Sequence, residues 1–222
     1  MVAITTSPKT QTRYYEDVLA HLPASKTTEY NKGQMIYDFD HRPRNIYLVL
    51  KGTVGISNLA EDGTEVLLDI LRSEELFGES AFLEPRGRSE RAQATQRVLL
   101  MTWAASEMED LVSKRPRLGV GLLQVLIQRN ADYAGRIESM AMDTIERRLA
   151  RSLLRFSERL GTPTESGFVW MMPLSQEMLS RYVGTSREIV SHHMSRFRKN
   201  GYVDYSRTGI RLHRDTLKTV LD

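Results

Sequence analysis

Residues 174–201 read LSQEMLSRYVGTSREIVSHHMSRFRKNG, and the spacing within this stretch predicts two short helices joined by a sharp turn. Met178, Leu179, Tyr182 and Val183 recur at helical intervals behind Ser175, a suitable N-cap, and Gly184 can take the left-handed conformation that a break requires. Thr185 with Glu188 three residues on has the form of a capping box for a second helix, with Ile189, Val190, Met194 and Phe197 as its apolar positions. Asn200-Gly201 closes it behind Arg198 and Lys199. This is a helix-turn-helix pattern. Away from the apolar stripe the second helix offers Arg187, Glu188, Ser191, His192, Arg196 and Lys199, and Arg and Glu side chains pair with guanine and cytosine edges in the major groove. Ser175 and Gln176 at the first helix start, with Thr185 and Ser186 at the turn, complete the set expected to meet double-stranded DNA. Beyond Gly201, Tyr202, Val203 and Tyr205, a Ser206-Arg207-Thr208-Gly209 turn, and then Ile210 and Leu212 predict a hairpin, or wing. Two helices and a turn also occur as plain core packing, so the surroundings must decide.

The charge distribution favours nucleic acid. The net charge of +3 is small, but residues 146–222 hold 14 basic and 8 acidic side chains against 17 and 20 in residues 1–145. Positive charge gathered on the segment with the reading helix is what phosphate neutralisation requires. The 222 residues suffice for two modest domains and contain no cysteine, which excludes disulfides and cysteine-ligated iron–sulfur clusters. No apolar run approaches the roughly 18 residues of a membrane span, and MVAITTSPKTQTR lacks the apolar core of a signal peptide. A soluble, cytoplasmic protein that avoids the membrane is expected.

Upstream, residues 1–24 carry one weakly amphipathic segment around Tyr14, Val18 and Leu19, read as a helical lead-in. From Thr27 to Thr102 short alternating runs follow (MIYDF, NIYLVLKG, TVGISNL, EVLLDIL, RVLLMTW) with no helical segment between them, so an antiparallel sandwich or barrel is predicted. Residues 106–116 read as a short helix with Met108, Leu111 and Val112 on one face. A long helical pattern then runs from Arg117 towards Ile145, with Leu123, Leu126, Ile137, Met140 and Ala141 near a and d positions, Tyr133 and Ala134 on the same seam, and Asn130 as a polar interruption. Such a helix spans on the order of 45 Å. It exceeds what this β-domain can cover, so a two-stranded coiled coil is favoured over a helix lying on its own domain. Thr144–Leu160 reads as the first helix of the C-terminal domain, and 167–172 as a short strand.

The remaining chemistry sits in LFGESAFLEPRGRSERAQA, residues 76–94. Gly78 permits close backbone approach to a ligand, Glu79 offers acceptors to a hydroxyl pair, and Arg88 with Ser89 offers a fork and a hydroxyl to a phosphate. Glu79 and Arg88 could equally form a structural ion pair. A catalytic reading fails for want of a second carboxylate, a nucleophile–base pair or metal ligands, so neither enzyme activity nor a metal is expected.

The order of β-domain, glycine–glutamate–arginine–serine cassette, long helix and winged helix-turn-helix resembles the cyclic-AMP receptor protein and FNR superfamily of bacterial transcription regulators across nearly the whole chain. Phe77-Gly78-Glu79 with Arg88-Ser89 looks like its cyclic-nucleotide cassette, and Val183-Gly184-Thr185-Ser186-Arg187-Glu188 looks like its helix-turn-helix signature. The resemblance implies an α+β chain: a jelly-roll sensing domain (1–116), a dimerisation helix (117–145) and a winged helix-turn-helix domain (146–222). It implies that Glu79 takes a ribose hydroxyl, Arg88 and Ser89 the cyclic phosphate, and Gly78 and Ser80 lend backbone amides, while Arg187 and Glu188 read bases.

Four positions depart from the family pattern. Tyr133 and Ala134 stand where cyclic-AMP receptors present a Thr-Ser pair to the adenine, Ser80 replaces an apolar residue, and His192 stands where a base-contacting arginine is common. The expected protein is a homodimer on a palindromic operator, controlled by cAMP or another cyclic nucleotide, with RNA polymerase a candidate partner by the same resemblance. Two alternatives stand beside it: the same DNA-binding regulator sensing a different effector or none, and a second-messenger binding protein that acts through protein contacts.

Overall fold

The computed structural model describes residues 17–40, 43–83, 90–164 and 167–222. After a single-turn helix α1 (Val18–His21), eight strands build the N-terminal domain: β1 (Lys26–Tyr30), β2 (Met35–Tyr37), β3 (Asn45–Lys51), β4 (Val54–Leu59), β5 (Glu65–Leu71), β6 (Leu76–Phe77), β7 (Glu90–Ala94) and β8 (Val98–Ala104). They form two antiparallel sheets, ordered β1-β8-β3-β6 and β2-β7-β4-β5. The alternation within β3 explains the layering. Tyr47 and Val49 point inward and join Val54, Ile56, Phe77, Ala92 and Leu100 between the sheets. Ile46 and Leu48 point outward and pack with Val18, Trp103, Met108 and Leu118 under a helical cover. That cover is α1 together with α2 (Ala105–Lys114) and the first turns of α3 (Pro116–Met142). The segment around Tyr14, expected to be helical, lies outside the described residues.

Helix α3 ends at Asp143 without a glycine or proline. The Asp143 carboxylate accepts from Ser139 Oγ at 2.6 Å and Arg151 Nε at 2.9 Å, and these two donors hold its pKa below the usual carboxylate value. Thr144 then caps α4 (Ile145–Leu160), so the chain turns within two residues. Beyond it come β9 (Thr162–Pro163), β10 (Val169–Met171), α5 (Gln176–Val183), α6 (Arg187–Lys199), the hairpin β11 (Val203–Tyr205) and β12 (Ile210–Leu212), and α7 (Arg214–Lys218). Leu149, Leu153 and Phe156 of α4 form one core with Leu179, Tyr182, Val190, Met194 and Phe197.

That core extends into the N-terminal domain, because Leu67 and Ile70 of β5 belong to it. Ionic ties frame the junction. Arg159 donates to Asp69 and, at 2.9 Å, to Glu75; burial alone would lower its pKa, but the two carboxylates raise it. Arg181 of α5 meets Glu65 of β5 at 2.7 Å. Strands β4 and β5 slip register where Ile56 faces Asp69 and Ser57 faces Leu67, leaving Leu68 as a bulge. The freed Leu68 carbonyl accepts from Arg136 of α3 at 3.1 Å.

Candidate functional site

The helix-turn-helix is set by its ends. Ser175 Oγ accepts from Met178 N at 3.0 Å and starts α5; Gly184, at φ 74° and ψ 53°, stops it. The second helix begins one residue later than the capping box implied: Ser186, not Thr185, is the N-cap, accepting from Ile189 N at 3.3 Å. Both hydroxyl residues fit a cap, and the backbone leaving Gly184 selects Ser186. Val190, Met194 and Phe197 are buried, whereas Ile189, expected inside, is exposed. A stripe at 190, 194 and 197 puts 188, 192, 195 and 199 on the opposite side. Glu188, His192, Ser195 and Lys199 indeed face solvent, with Arg187 exposed at the helix start and Ser191 half-buried at the edge. Ser195 and Ile189 are exposed here but absent from the sequence-derived set, though the same periodicity contains Ser195.

Arg196 stands apart from that row, paired with Glu146 of α4 at 3.3 Å. Arg198 is committed to the wing: it donates to Asp204 and to the Tyr205 carbonyl, each at 2.7 Å, and stacks 4.4 Å from the Tyr205 ring. Ser206 N donates to Gly209 O at 2.9 Å and closes the wing turn, which leaves Arg207 exposed at its tip. Thr185 and Gln176 are half-buried, Ser175 and Ser186 exposed.

The second constellation lies where β6 gives way to a 3-10 turn, Glu79–Phe82. Gly78 is required there, since its φ is 89° and a Cβ would come 2.4 Å from Asn45 O and 2.9 Å from the Tyr47 ring. Glu79 does not stand free to meet a ligand. Arg129 of α3 pairs with it through Nη1 and donates through Nη2 to Leu76 O. Burial alone would lower the Arg129 pKa, but Glu79, with Asp69 and Tyr133 adding to it, raises it. One turn along, Tyr133 faces the same way, its phenol pushed up chiefly by burial. Tyr133 therefore turns towards its own β-domain instead of the outer seam, while Ala134 is exposed on that seam. Arg88 and Ser89, the expected phosphate ligands, lie outside the described residues.

The absence of a second carboxylate inferred from the cassette is corrected. Glu90, the first residue of β7, accepts from the Tyr37 hydroxyl and, at 3.2 Å, from Ser80 Oγ through one oxygen. Burial raises the Glu90 pKa, Glu79 adds to the rise, and Tyr37, Ser80 and Arg129 oppose it. Tyr47 and Phe77 stack at 4.9 Å between centroids, with Tyr37 5.9 Å from Tyr47. Among the described residues no His, Cys, Asp or Glu group is arranged to hold a metal, and no helix is long and apolar enough to cross a membrane.

A β-domain joined by a long helix to a winged helix-turn-helix is the architecture of a DNA-binding regulator. Comparison with known proteins gives the family. Residues 27–115 match the cyclic nucleotide-binding domain and residues 147–219 the Crp-like helix-turn-helix domain. The chain is 31% identical over 180 residues to the transcriptional regulator SdrP of Thermus thermophilus, covering 80% of this chain and 85% of that one. It is 25% identical over 175 residues to a CRP-like cAMP-activated global transcriptional regulator of Mycobacterium tuberculosis, covering 79% and 78%. The structure of FixK2 from Bradyrhizobium japonicum has the same fold, with a TM-score of 0.75 at 23% identity over 90% of this chain and 98% of that one. The chain belongs to the CRP/FNR family of transcription regulators.

Proposed function

We propose that two copies of this regulator pair along the outer stripe of α3 and present their reading helices to successive major grooves of a palindromic operator. One observation carries this reading. Val120, Leu123, Ile127, Asn130, Ala134, Ile137 and Ala141, separated alternately by three and four residues, are all exposed. The opposite face of the same helix holds Arg129 against Glu79. An a/d seam left in water lacks its partner. Val120 and Ile127 belong to this seam and Tyr133 does not, which revises the register read from the sequence.

The effector is a cyclic nucleotide such as cAMP, with Glu79 meeting the ribose, Arg88 and Ser89 the phosphate, and Tyr133 closing the pocket from α3. Support comes from the family-model match over residues 27–115 and from a relative whose name makes it cAMP-activated. A ligand that draws on Glu79 competes with Arg129 and so acts on α3 directly, shifting the population of dimers with correctly spaced reading helices. The regulator then works on DNA in the cytoplasm.

Operator affinity measured with and without saturating cAMP tests the scheme: tighter binding is expected with nucleotide, and equal affinity removes this ligand. Calorimetry with cAMP and cGMP is the companion measurement, its heat expected to vanish in Arg88→Ala. The Glu79–Arg129 pair favours a second reading, in which the pocket is already satisfied and the protein binds DNA with another effector or none; absence of heat with both nucleotides supports it. Action through protein contacts alone predicts no steep fall of DNA affinity with salt, whereas operator binding does. On the operator, Arg187→Ala costs about 1–3 kcal/mol and relaxes sequence choice.

A further inference from the structure

The wing is tied to the reading helix by one side chain. Three basic residues stand in the last turn of α6, and two of them are spent: Arg196 on Glu146 at 3.3 Å, and Arg198 on the wing strand β11. Arg198 meets Asp204 Oδ1 through Nε at 3.0 Å and Nη2 at 2.7 Å, while Nη2 also donates to the Tyr205 carbonyl at 2.7 Å. Only a planar fork makes this set at once. Arg198 follows Ser195 by three residues and adjoins Lys199, so the tie begins at the edge of the exposed row of α6. A second contact holds the base of the turn: a Cβ on Gly209 would come 2.3 Å from the Trp170 ring, so the wing backbone lies directly on that ring. The tip closes on itself. Thr208 N donates to Ser206 Oγ at 3.2 Å, and the two hydroxyls share a hydrogen bond at 2.8 Å. What this frame carries outward is Arg207, exposed and without a hydrogen bond, ion pair or ring contact among the described residues.

We propose that the wing tip is a second contact with DNA, in which Arg207 grips a phosphate beside the groove that α6 enters, and that Arg198 is the positioning residue that fixes its reach. The inference rests on the DNA-reading role of α6, and its test separates the two. The tip is built for phosphate. The Arg207 guanidinium offers five N–H donors and no acceptor, and of the two hydroxyl hydrogens beside it only one is used between Ser206 and Thr208. Phosphate oxygens only accept, and they carry no sequence information. Asp204, the one carboxylate of the hairpin, is neutralised by Arg198 and leaves the tip positive. A tip fixed before DNA arrives also avoids the ordering cost that a loose arginine loop incurs on binding. A charge-assisted hydrogen bond to phosphate holds only at contact distance, so an Arg207 freed to wander loses it.

The test is the salt dependence of affinity, read by fluorescence anisotropy on a duplex obtained by selection, for wild type, Arg207→Ala, Arg198→Ala and the double variant. Arg207→Ala is expected to lower the slope of log affinity against log salt by about 1 for each chain bound, with equal loss on every sequence. Arg198→Ala should lose nearly as much. Added to Arg207→Ala it should lose nothing further, because it acts through the wing. Asp204→Ala breaks the same tie from its other end and should also weaken binding, although removal of a negative charge near DNA by itself strengthens it. Circular dichroism and melting temperatures verify that each variant folds. An unchanged slope in Arg207→Ala, or a loss confined to one operator position, overturns the phosphate contact. Additive losses in the double variant, or tighter binding by Asp204→Ala, overturn the positioning role of Arg198. In each of these cases wild type still selects its duplex and the role of α6 stands; a wild type without sequence preference overturns that role and the inference together.

Discussion

The Arg136 guanidinium lies 4.1 Å from the centre of the Tyr182 ring and donates to the Tyr182 carbonyl at the end of α5. Its other Nη donates to the Leu68 carbonyl at the β5 bulge. One side chain of α3 thus touches the sensing domain and the helix that precedes the reading turn. Burial lowers the Arg136 pKa, and its hydrogen bonds go to two backbone carbonyls, of which that of Tyr182 lies at the C-terminal end of α5, whose dipole favours a cation.

In the proposed scheme this junction carries a displacement of α3 to the reading turn. Allosteric coupling between two ligands is typically about 1–3 kcal/mol. In Arg136→Ala most of the difference in operator affinity with and without effector should disappear, while effector affinity itself changes little. Paired DNA and nucleotide titrations measure both.

Arg159 tests the junction from the other side. The Asp69 side chain is 7% exposed, and removal of a partner from a buried pair costs about 3–5 kcal/mol, with the low end expected because Arg155 stands 4.0 Å from Asp69. Arg159→Ala should lower the melting temperature and render the C-terminal turn of α4 more susceptible to protease. Differential scanning calorimetry with limited proteolysis checks this.

His193 gives a pH dependence. Burial lowers its pKa, His192 and Arg196 add to that, Glu146 opposes it, and its Nδ1 is buried without a partner. The unfolded chain therefore binds the proton more readily than the folded one. Stability from this group is present above the unfolded value of about 6.5 and lost as pH falls below it. Thermal melts from about pH 7 down to about pH 5 should show the loss, and His193→Gln should lessen it.

Ile189 is a candidate base contact, apolar and exposed beside Glu188 at the start of the reading helix. An apolar side chain there suits a thymine methyl group. Ile189→Ser should leave stability within about 0.5 kcal/mol and weaken preference at one operator position, as read from selection on a randomised duplex.

How much of this the sequence discloses depends on how local the cause is. The helix-turn-helix is legible because Ser175, Gly184 and Asn200-Gly201 punctuate it and each half has its own apolar period. Strands β1 (KTTEY) and β7 (ERAQA) are not, since β1 is a polar edge and β7 turns only two alanines inward. Arg129 escapes notice because its partner Glu79 lies fifty residues away and no spacing rule joins them. Glu90 hides behind Arg88-Ser89, where the eye stops at the motif. On α3 several apolar rows satisfy a heptad; burial of Leu118, Gly121 and Ser139 selects the row that faces outward.

A dimer paired through α3 is proposed to read a palindrome with α6. In the proposed dimer Asn130 falls in the middle of the seam, where a polar residue fixes register at a cost in stability, so Asn130→Leu should dimerise more tightly and Ile127→Glu should fail to dimerise. The most direct measurement is the number of chains per palindromic duplex by sedimentation equilibrium, for wild type and Ile127→Glu. Two chains per duplex for wild type, with binding lost or greatly weakened in Ile127→Glu, is the expected result. One chain per duplex, or full binding by the monomeric variant, contradicts it.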